Sequence, residues 1–294
     1  MDATADPTDG TLDRLIARLH ARGRLRVWSL VVTVFGDAVV PRGGRVPLAV
    51  LRQIAGRLGV EAGALRTALS RLAADGWVER ERRGRNSFYR LDERGRHAFD
   101  RATRRIYAAG PPAWDGSWTV AIAAPGGNGA GAAELEEAGF LRIAAGVHLR
   151  PGEAAPAAPP ALANMLVIHG TSAEHPEMLR SLWPSGEIAA AYRGFIEAYT
   201  PFAAALARAR PVPPGEAIAA RTLLVHDWRR IVLRDPGLPP ALLPTDWPGE
   251  AARRLARSVY ARLAAPSEAW LDAAGMPPLA DPAAFARRFG GLGG

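Results

Sequence analysis

Between Glu61 and Arg90 the chain sets out two groups of side chains suited to reading duplex DNA. The helix-patterned run from Glu61 to Asp75 puts Leu65, Ala68, Leu69 and Leu72 on one face. Arg66, Thr67, Ser70 and Arg71 fall on or beside the opposite one. An arginine fork can pair with guanine O6 and N7, and Ser and Thr hydroxyls can reach bases or phosphates. After Gly76 comes WVERERRGRNSFYRL, in which Arg80, Arg82, Arg83, Arg85 and Arg90 crowd a hairpin pattern with a basic tip. Its arms are Trp77 to Glu81 and Ser87 to Leu91. Asn86 and Tyr89 offer hydrogen-bond donors toward sugar or phosphate, and Arg83 or Arg85 at the tip can enter a minor groove and read its width. Two bland alternatives compete with this reading. The four polar helix residues can simply solvate a surface, and Glu79 and Glu81 can absorb part of the arginine run in cross-strand ion pairs.

The charge distribution favours the DNA reading. Residues 1 to 105 carry 21 Arg against 12 Asp plus Glu, whereas residues 106 to 294 carry 16 against 17. The positive charge is therefore confined to one end, as phosphate neutralisation by a discrete module requires. Every basic residue is Arg and none is Lys. With heavy Ala, Gly and Pro usage this pattern fits a GC-rich genome, so only clusters of arginine carry weight. There is no Cys, which excludes disulfides and thiolate metal sites. The six His, at 20, 97, 148, 169, 175 and 226, never fall in HxxxH spacing, so no metal is expected. The start, MDATADPTDG, has no apolar h-region, and no stretch approaches the ~18 apolar residues of a membrane span. The expectation is a cytoplasmic protein without a membrane partner.

Elements that would position the arginines read as follows. Thr11 to Arg22 is amphipathic with helical spacing. Trp28 to Phe35 is continuously apolar, so helix and strand cannot be separated there, and Gly36-Asp37 ends it. Leu48 to Leu58 is a helix stopped by Gly59, and with the next helix it forms a helix, turn, helix pattern. Asp92 to Tyr107 returns to helix with Asp92 as N-cap, and Ala109-Gly110-Pro111-Pro112 marks a boundary. Beyond it, strands over Trp118 to Ala124, Ala145 to Leu149 and Met165 to His169, with a helix over Ala133 to Gly139, suggest a small α+β module. From Glu177 onward the pattern is helical: Met178 to Trp183, Ile188 to Arg208, Ala217 to Leu233 and Pro248 to Leu263. The tail after Gly275 reads as loosely held.

Leu30 to Gly44 (LVVTVFGDAVVPRGG), Ala64 to Leu72 (ALRTALSRL), Gly76 to Leu91 and Thr222 to Leu243 (TLLVHDWRRIVLRDPGLPPALL) together resemble the PaaX family of bacterial transcriptional repressors, in matching order from about Arg26 to Asp272. The resemblance implies an α+β multidomain chain: an N-terminal arm over 1–25, a winged helix-turn-helix over 26–108, a ferredoxin-like middle domain over 112–176, a mostly helical effector and dimerisation domain over 177–275, and a tail over 276–294. It also implies a homodimer on double-stranded DNA that represses phenylacetate-type aromatic catabolism and is relieved by phenylacetyl-CoA or a related acyl-CoA. No cofactor is implied. The long Gly/Pro/Ala insertions of the middle domain depart from the family pattern.

A second cluster, HDWRRIVLRD, spans His226 to Asp235. If it is helical, Arg230 and Arg234 share a face, and Asp227 can pair with either. His226, Arg229, Arg230 and Arg234 can hold the phosphates of a CoA thioester, for which planar guanidiniums are suited. Tyr192 and Trp228 are aromatic candidates for the acyl group. A salt-bridge network with plain aromatic core explains the same residues equally well. Other functions fare worse. The middle module also resembles the ferredoxin-like endoribonucleases of CRISPR systems, whose metal-binding aspartate ends the first strand. Val120 to Ala124 holds no acid. No GxSxG, GxGxxG or Walker pattern occurs, so catalytic residues are expected to be absent. A ligand-independent DNA regulator or architectural protein is the remaining alternative.

Overall fold

The computed structural model describes residues 9–23, 25–111, 113–124, 131–152, 159–172, 186–208, 212–235 and 237–292. The chain is mixed helix and sheet. It forms two compact units, one from Met1–Gly110, Ala191–Leu233 and Pro248–Gly294, the other from Pro111–Ala190 and Arg234–Trp247. The helical stretch after Glu177 is thus divided between them. The expected helix over Met178 to Trp183, and most of the loops after Ala124 and Gly152, lie outside the described residues.

The first unit begins with α1 (Asp9–Ala21), which buries Leu12, Leu15 and Leu19 at helical spacing. The ambiguous apolar run is a helix, α2 (Val27–Val34). Gly36-Asp37 does not end it. The chain winds on through a π turn (Phe35–Val39) and a 3-10 turn (Val40–Arg42). The reason is tertiary: Asp37 is buried among charged and phenolic partners that outweigh its turn preference. A short strand β1 (Arg45–Pro47), which sequence patterning missed, leads into α3 (Leu48–Arg57). Leu58 to Glu61 then turn the chain into α4 (Ala62–Ala74). Gly59 takes the left-handed conformation the turn needs, with φ +74°, and Val60 N–H donates to Ala55 O at 2.9 Å. A side chain at Gly59 would also strike His20, whose Nε2 lies 2.9 Å from Leu58 O.

Next come β2 (Val78–Arg83) and β3 (Asn86–Leu91), antiparallel, with β1 on the far side of β3. α5 (Glu93–Ile106) follows and buries Phe99 and Ile106. The unit is completed by the last helices of the chain. α7 (Gly186–Arg208) and α9 (Gly249–Ala273) accompany α8 (Pro214–Val232), in which Ala217 through Trp228 are all buried. A helix apolar or neutralised all round is a core helix. α9 runs past its expected end at Leu263 and through Pro266. The tail is not loose: Met276, Phe285 in α10 (Pro282–Ala286) and Phe289 are buried. Phe289 N–H donates to Tyr107 O at 2.9 Å, which helps hold its unusual φ of 56°.

The second unit is a four-stranded antiparallel sheet in the order β5-β6-β4-β7, formed by β4 (Ser117–Ala123), β5 (Leu141–Ala144), β6 (Val147–Pro151) and β7 (Met165–Thr171). α6 (Ala132–Glu137) connects β4 to β5, a short and mostly exposed strand that patterning missed. Strand alternation sends Trp118 and Ala121 to opposite faces. Trp118 packs with Leu149, Leu238, Leu242 and Leu243, and Ala121 with Leu135 and Phe140.

Candidate nucleic-acid interface

α4 is anchored by Leu65, Ala68, Leu69 and Leu72, all buried, and packs against α2 and α3. Arg66, Thr67, Ser70 and Arg71 are exposed on its outer face. Thr67 Oγ1 donates back to Gly63 O at 3.1 Å, and Arg71 lies 3.8 Å from Asp75 in a loose pair one turn on. Among the described residues Arg66 has no ion pair.

The hairpin register sorts its arginines. Glu79 faces Arg90 and Glu81 faces Phe88 across the ladder. Arg90 clasps Glu79 at 2.6 Å, and Arg83 binds Glu81, on its own strand, at 2.6 Å. The Arg83 guanidinium, with Arg45 behind it, holds the Glu81 carboxyl below its usual range. Arg45 sits 3.0 Å from Glu81 without hydrogen-bond geometry and stacks 3.9 Å over the Phe88 ring. Ion pairing thus absorbs Arg83 and Arg90. Arg80 donates to Ser87 at 3.0 Å, and Arg82, Arg85 and Asn86 are exposed. Among the described residues Arg80, Arg82 and Arg85 meet no carboxylate. Tyr89 differs from its sequence reading as a surface donor. It is 7% exposed, opposite Arg80 and Val46, on the inner face with Val78 and Leu91.

The HDWRRIVLRD cluster is mostly interior. His226 is buried, and Thr33 Oγ1 lies 3.1 Å from its Nδ1. Burial, then the charges of Arg229 and Arg230, pull its pKa down to about 3. Arg229 donates through Nε to Thr33 Oγ1 at 2.8 Å and through its terminal nitrogen to Ser29 O and Oγ at 2.8 and 2.6 Å. Burial and the neighbouring Arg230 lower it to about 10. Asp227 pairs with Arg22 at 2.8 Å and accepts from Tyr199 at 3.2 Å. Tyr192 and Trp228 are both 0% exposed, 5.8 Å apart, with the Trp228 indole N–H donated to Ile106 O. Arg230 is exposed near the end of α8, and Arg234 is exposed beyond it, so the two do not share a helical face.

Sequence reasoning missed a third cluster. Asp37 accepts from Tyr107 at 2.6 Å, Tyr260 at 2.8 Å, Arg221 at 2.7 Å and Arg288 at 2.9 Å. Arg221 also binds Glu268, which with Asp272 holds Arg42. The Arg288 guanidinium lies 4.0 Å over the Tyr107 ring and donates to the Tyr260 hydroxyl. Burial would raise the Asp37 pKa; Arg221, Arg288 and the Tyr107 hydrogen bond outweigh it and hold the group below its usual range. No local pattern announces this network, because each partner comes from a different segment.

Among the described residues no group of His, Asp or Glu is placed to hold a metal ion, and no helix is long and apolar enough to cross a membrane. Comparison with known proteins gives concordant results. The family model described as PaaX-like protein matches residues 26–95, and that of the PaaX-like protein C-terminal domain matches residues 183–273. The transcriptional repressor PaaX of Escherichia coli (strain K12) is 32% identical over 285 residues, covering 90% of this chain and 90% of the relative. Among solved structures, an uncharacterized protein from Mycobacterium tuberculosis shares the fold with a TM-score of 0.54 and 23% identity, over 82% of this chain and 97% of that one.

Proposed function

Because the chain belongs to the PaaX family, we propose that it is a DNA-binding transcriptional repressor and not an enzyme. The observation that carries the reading is the set of exposed guanidiniums that meet no carboxylate among the described residues, Arg66 on α4 and Arg80, Arg82 and Arg85 on the hairpin. An exposed arginine kept clear of carboxylates, beside others of its kind, is costly in self-repulsion until a polyanion neutralises it. In this reading α3, the turn, α4 and the hairpin form a winged helix-turn-helix. α4 lies in the major groove, Arg66 and Arg71 contact base edges with Thr67 and Ser70 beside them, and the hairpin holds phosphates.

The second unit is read as ferredoxin-like, which the central position of its first and third strands, β4 and β6, supports. The protein acts in the cytoplasm as a homodimer on a palindromic operator, since one recognition helix offers a small footprint for selecting a genomic site. By family resemblance the operator belongs to a phenylacetate-type catabolic operon, and phenylacetyl-CoA releases the protein. Release by about tenfold requires ~1.4 kcal/mol of preference for the DNA-free state.

A gel shift on the control region of an adjacent aromatic-acid operon tests this. The expected result is a retarded complex resistant to random duplex and dissolved by phenylacetyl-CoA but not by CoA. Equal affinity for random duplex overturns the operator reading, and a complex indifferent to phenylacetyl-CoA overturns the effector.

A further inference from the structure

A cavity of about 180 Å³ lies in the first unit between α2, α5 and α8. Its walls are apolar and aromatic, with Val32, Phe99, Ile106, Tyr107 and Val225 around it and Trp77 among its lining residues. Trp77 is 37% exposed and meets Phe99 edge to face at 6.4 Å. The room depends on Gly36, where a β-carbon would come within 2.7 Å of the Phe99 ring. For scale, an engineered apolar cavity of about 150 Å³ admits benzene.

One charged group without a counter-ion borders this space. Arg229 is held in place by Thr33 and Ser29, and among the described residues it meets no carboxylate. Asp37 also borders the cavity, but its charge is already met by Arg221 and Arg288. A desolvated guanidinium with neutral partners only is an unfavourable arrangement, and one that an incoming oxygen relieves. Its lowered pKa, about 10, has the same cause.

We propose that this cavity is a ligand site for a ring-sized apolar body bearing a carboxylate or acyl oxygen, with Arg229 as the group that meets the oxygen. The site rests on the regulatory reading above and gives it a route. Trp77 directly follows the α4 stop and precedes β2, and its backbone ties both sides: Trp77 N–H donates to Leu72 O at 2.9 Å, and Asp92 N–H donates to Trp77 O at 3.1 Å. A ligand that moves the indole moves the junction between the reading helix and the hairpin. Such a ligand shifts DNA affinity by its preference for one position of that junction.

Calorimetry on the full-length, DNA-free protein tests the site, with phenylacetate and phenylacetyl-CoA as probes and acetate and CoA as controls. At least one aromatic probe is expected to bind and neither control. Binding by phenylacetate identifies a free acid as the source of the oxygen; binding by phenylacetyl-CoA alone identifies an acyl thioester. Ala102→Phe fills the cavity from α5 and is expected to weaken the aromatic probe about tenfold or more, the loss expected when ~1.4 kcal/mol of contact is removed. Ala102→Leu, a smaller fill, serves if the first variant does not fold. Trp77→Phe is expected to abolish the ligand-induced change in tryptophan emission. Absence of binding by both aromatic probes, or undiminished affinity in a folded Ala102 variant, overturns the site. Because no DNA is present, a failed gel shift leaves this result standing, and a failed titration leaves the DNA result standing.

Discussion

Arg221 and Arg82 are the same residue type in a chain that has no lysine, yet they occupy opposite extremes. Arg221 is fully buried and binds two carboxylates, Asp37 and Glu268. Arg82 stands on an exposed strand, and among the described residues no carboxylate meets it. The buried cation is neutralised from within, and removing a partner strands a charge in a poorly solvating place. In the proposed DNA-binding reading the exposed one is met by a partner from outside, and its loss should be felt only when that partner is present. The comparison teaches that an arginine's role in this molecule is set by its counter-charge: the hairpin pattern marks Arg82 in the sequence, whereas nothing local marks Arg221 as a buried cation.

The sharpest way to break the comparison is Asp37→Ala, which leaves Arg221 and Arg288 facing each other without their shared carboxylate. The expected loss is about 3–5 kcal/mol, or ~10 °C in thermal midpoint for a chain of this size. A midpoint near that of the unaltered protein would show the network to be incidental.

The next effect comes from protons. His226 sits at about 3 in the folded protein against 6.5 when free, so between these values the unfolded chain binds the extra proton. Stability is therefore fully present above about pH 6.5 and declines as pH falls, by ~2 kcal/mol at pH 5 relative to pH 8. Asp37, also depressed, gives up its contribution only below its ordinary 3.8, so it adds nothing to the change between pH 8 and pH 5. Urea unfolding at pH 8 and pH 5 measures the difference, which His226→Asn should shrink.

On the exposed side, Arg66→Ala is expected to cost about 1–3 kcal/mol in discrimination between operator and random DNA. Arg82→Ala with Arg85→Ala is expected to weaken both DNAs and to flatten the slope of log affinity against log salt by roughly 2, with the thermal midpoint unmoved. A destabilised double variant, or an unchanged slope, would erase the distinction between inner and outer arginines. The smallest effect is expected for Arg90→Ala. It removes a solvent-exposed pair with Glu79 and frees that carboxylate to repel phosphate, so the midpoint holds while DNA affinity drops modestly.

What was legible in the sequence follows the range of the interactions. The polar face of α4, the turn before it and the basic hairpin are local patterns, and each stands where spacing puts it. Tyr89 carries a usable local signal of its burial: Val78 in β2 and Tyr89 with Leu91 in β3 share the inner face by simple alternation. β1 and β5 are three and four residues long, too short for any periodicity to register. The π turn at Asp37 and the docking of the tail were beyond reach for another reason. Their causes lie in segments far along the chain, where Gly36-Asp37 looks like punctuation and Arg288 like one arginine among many.

The distance between those segments has a consequence for how the protein is made. Asp37 leaves the ribosome long before its partners, with Arg221 following 184 residues later and Arg288 251 residues later. At about 5–20 residues per second, the last cation arrives roughly 13–50 s after the carboxylate it completes. Contacts so far apart also slow the closing of the structure itself. Throughout that interval the basic N-terminal segment can already be outside the ribosome, able to attract nucleic acid, while the network around Asp37 lacks at least one of its two cations. A chain cut short between Arg221 and Arg288 keeps the first cation and never gains the second, which leaves it more open to the proteases that remove incompletely folded chains. Arg288 belongs to the buried network around Asp37, so truncations that remove it should be judged as alterations of the protein's interior.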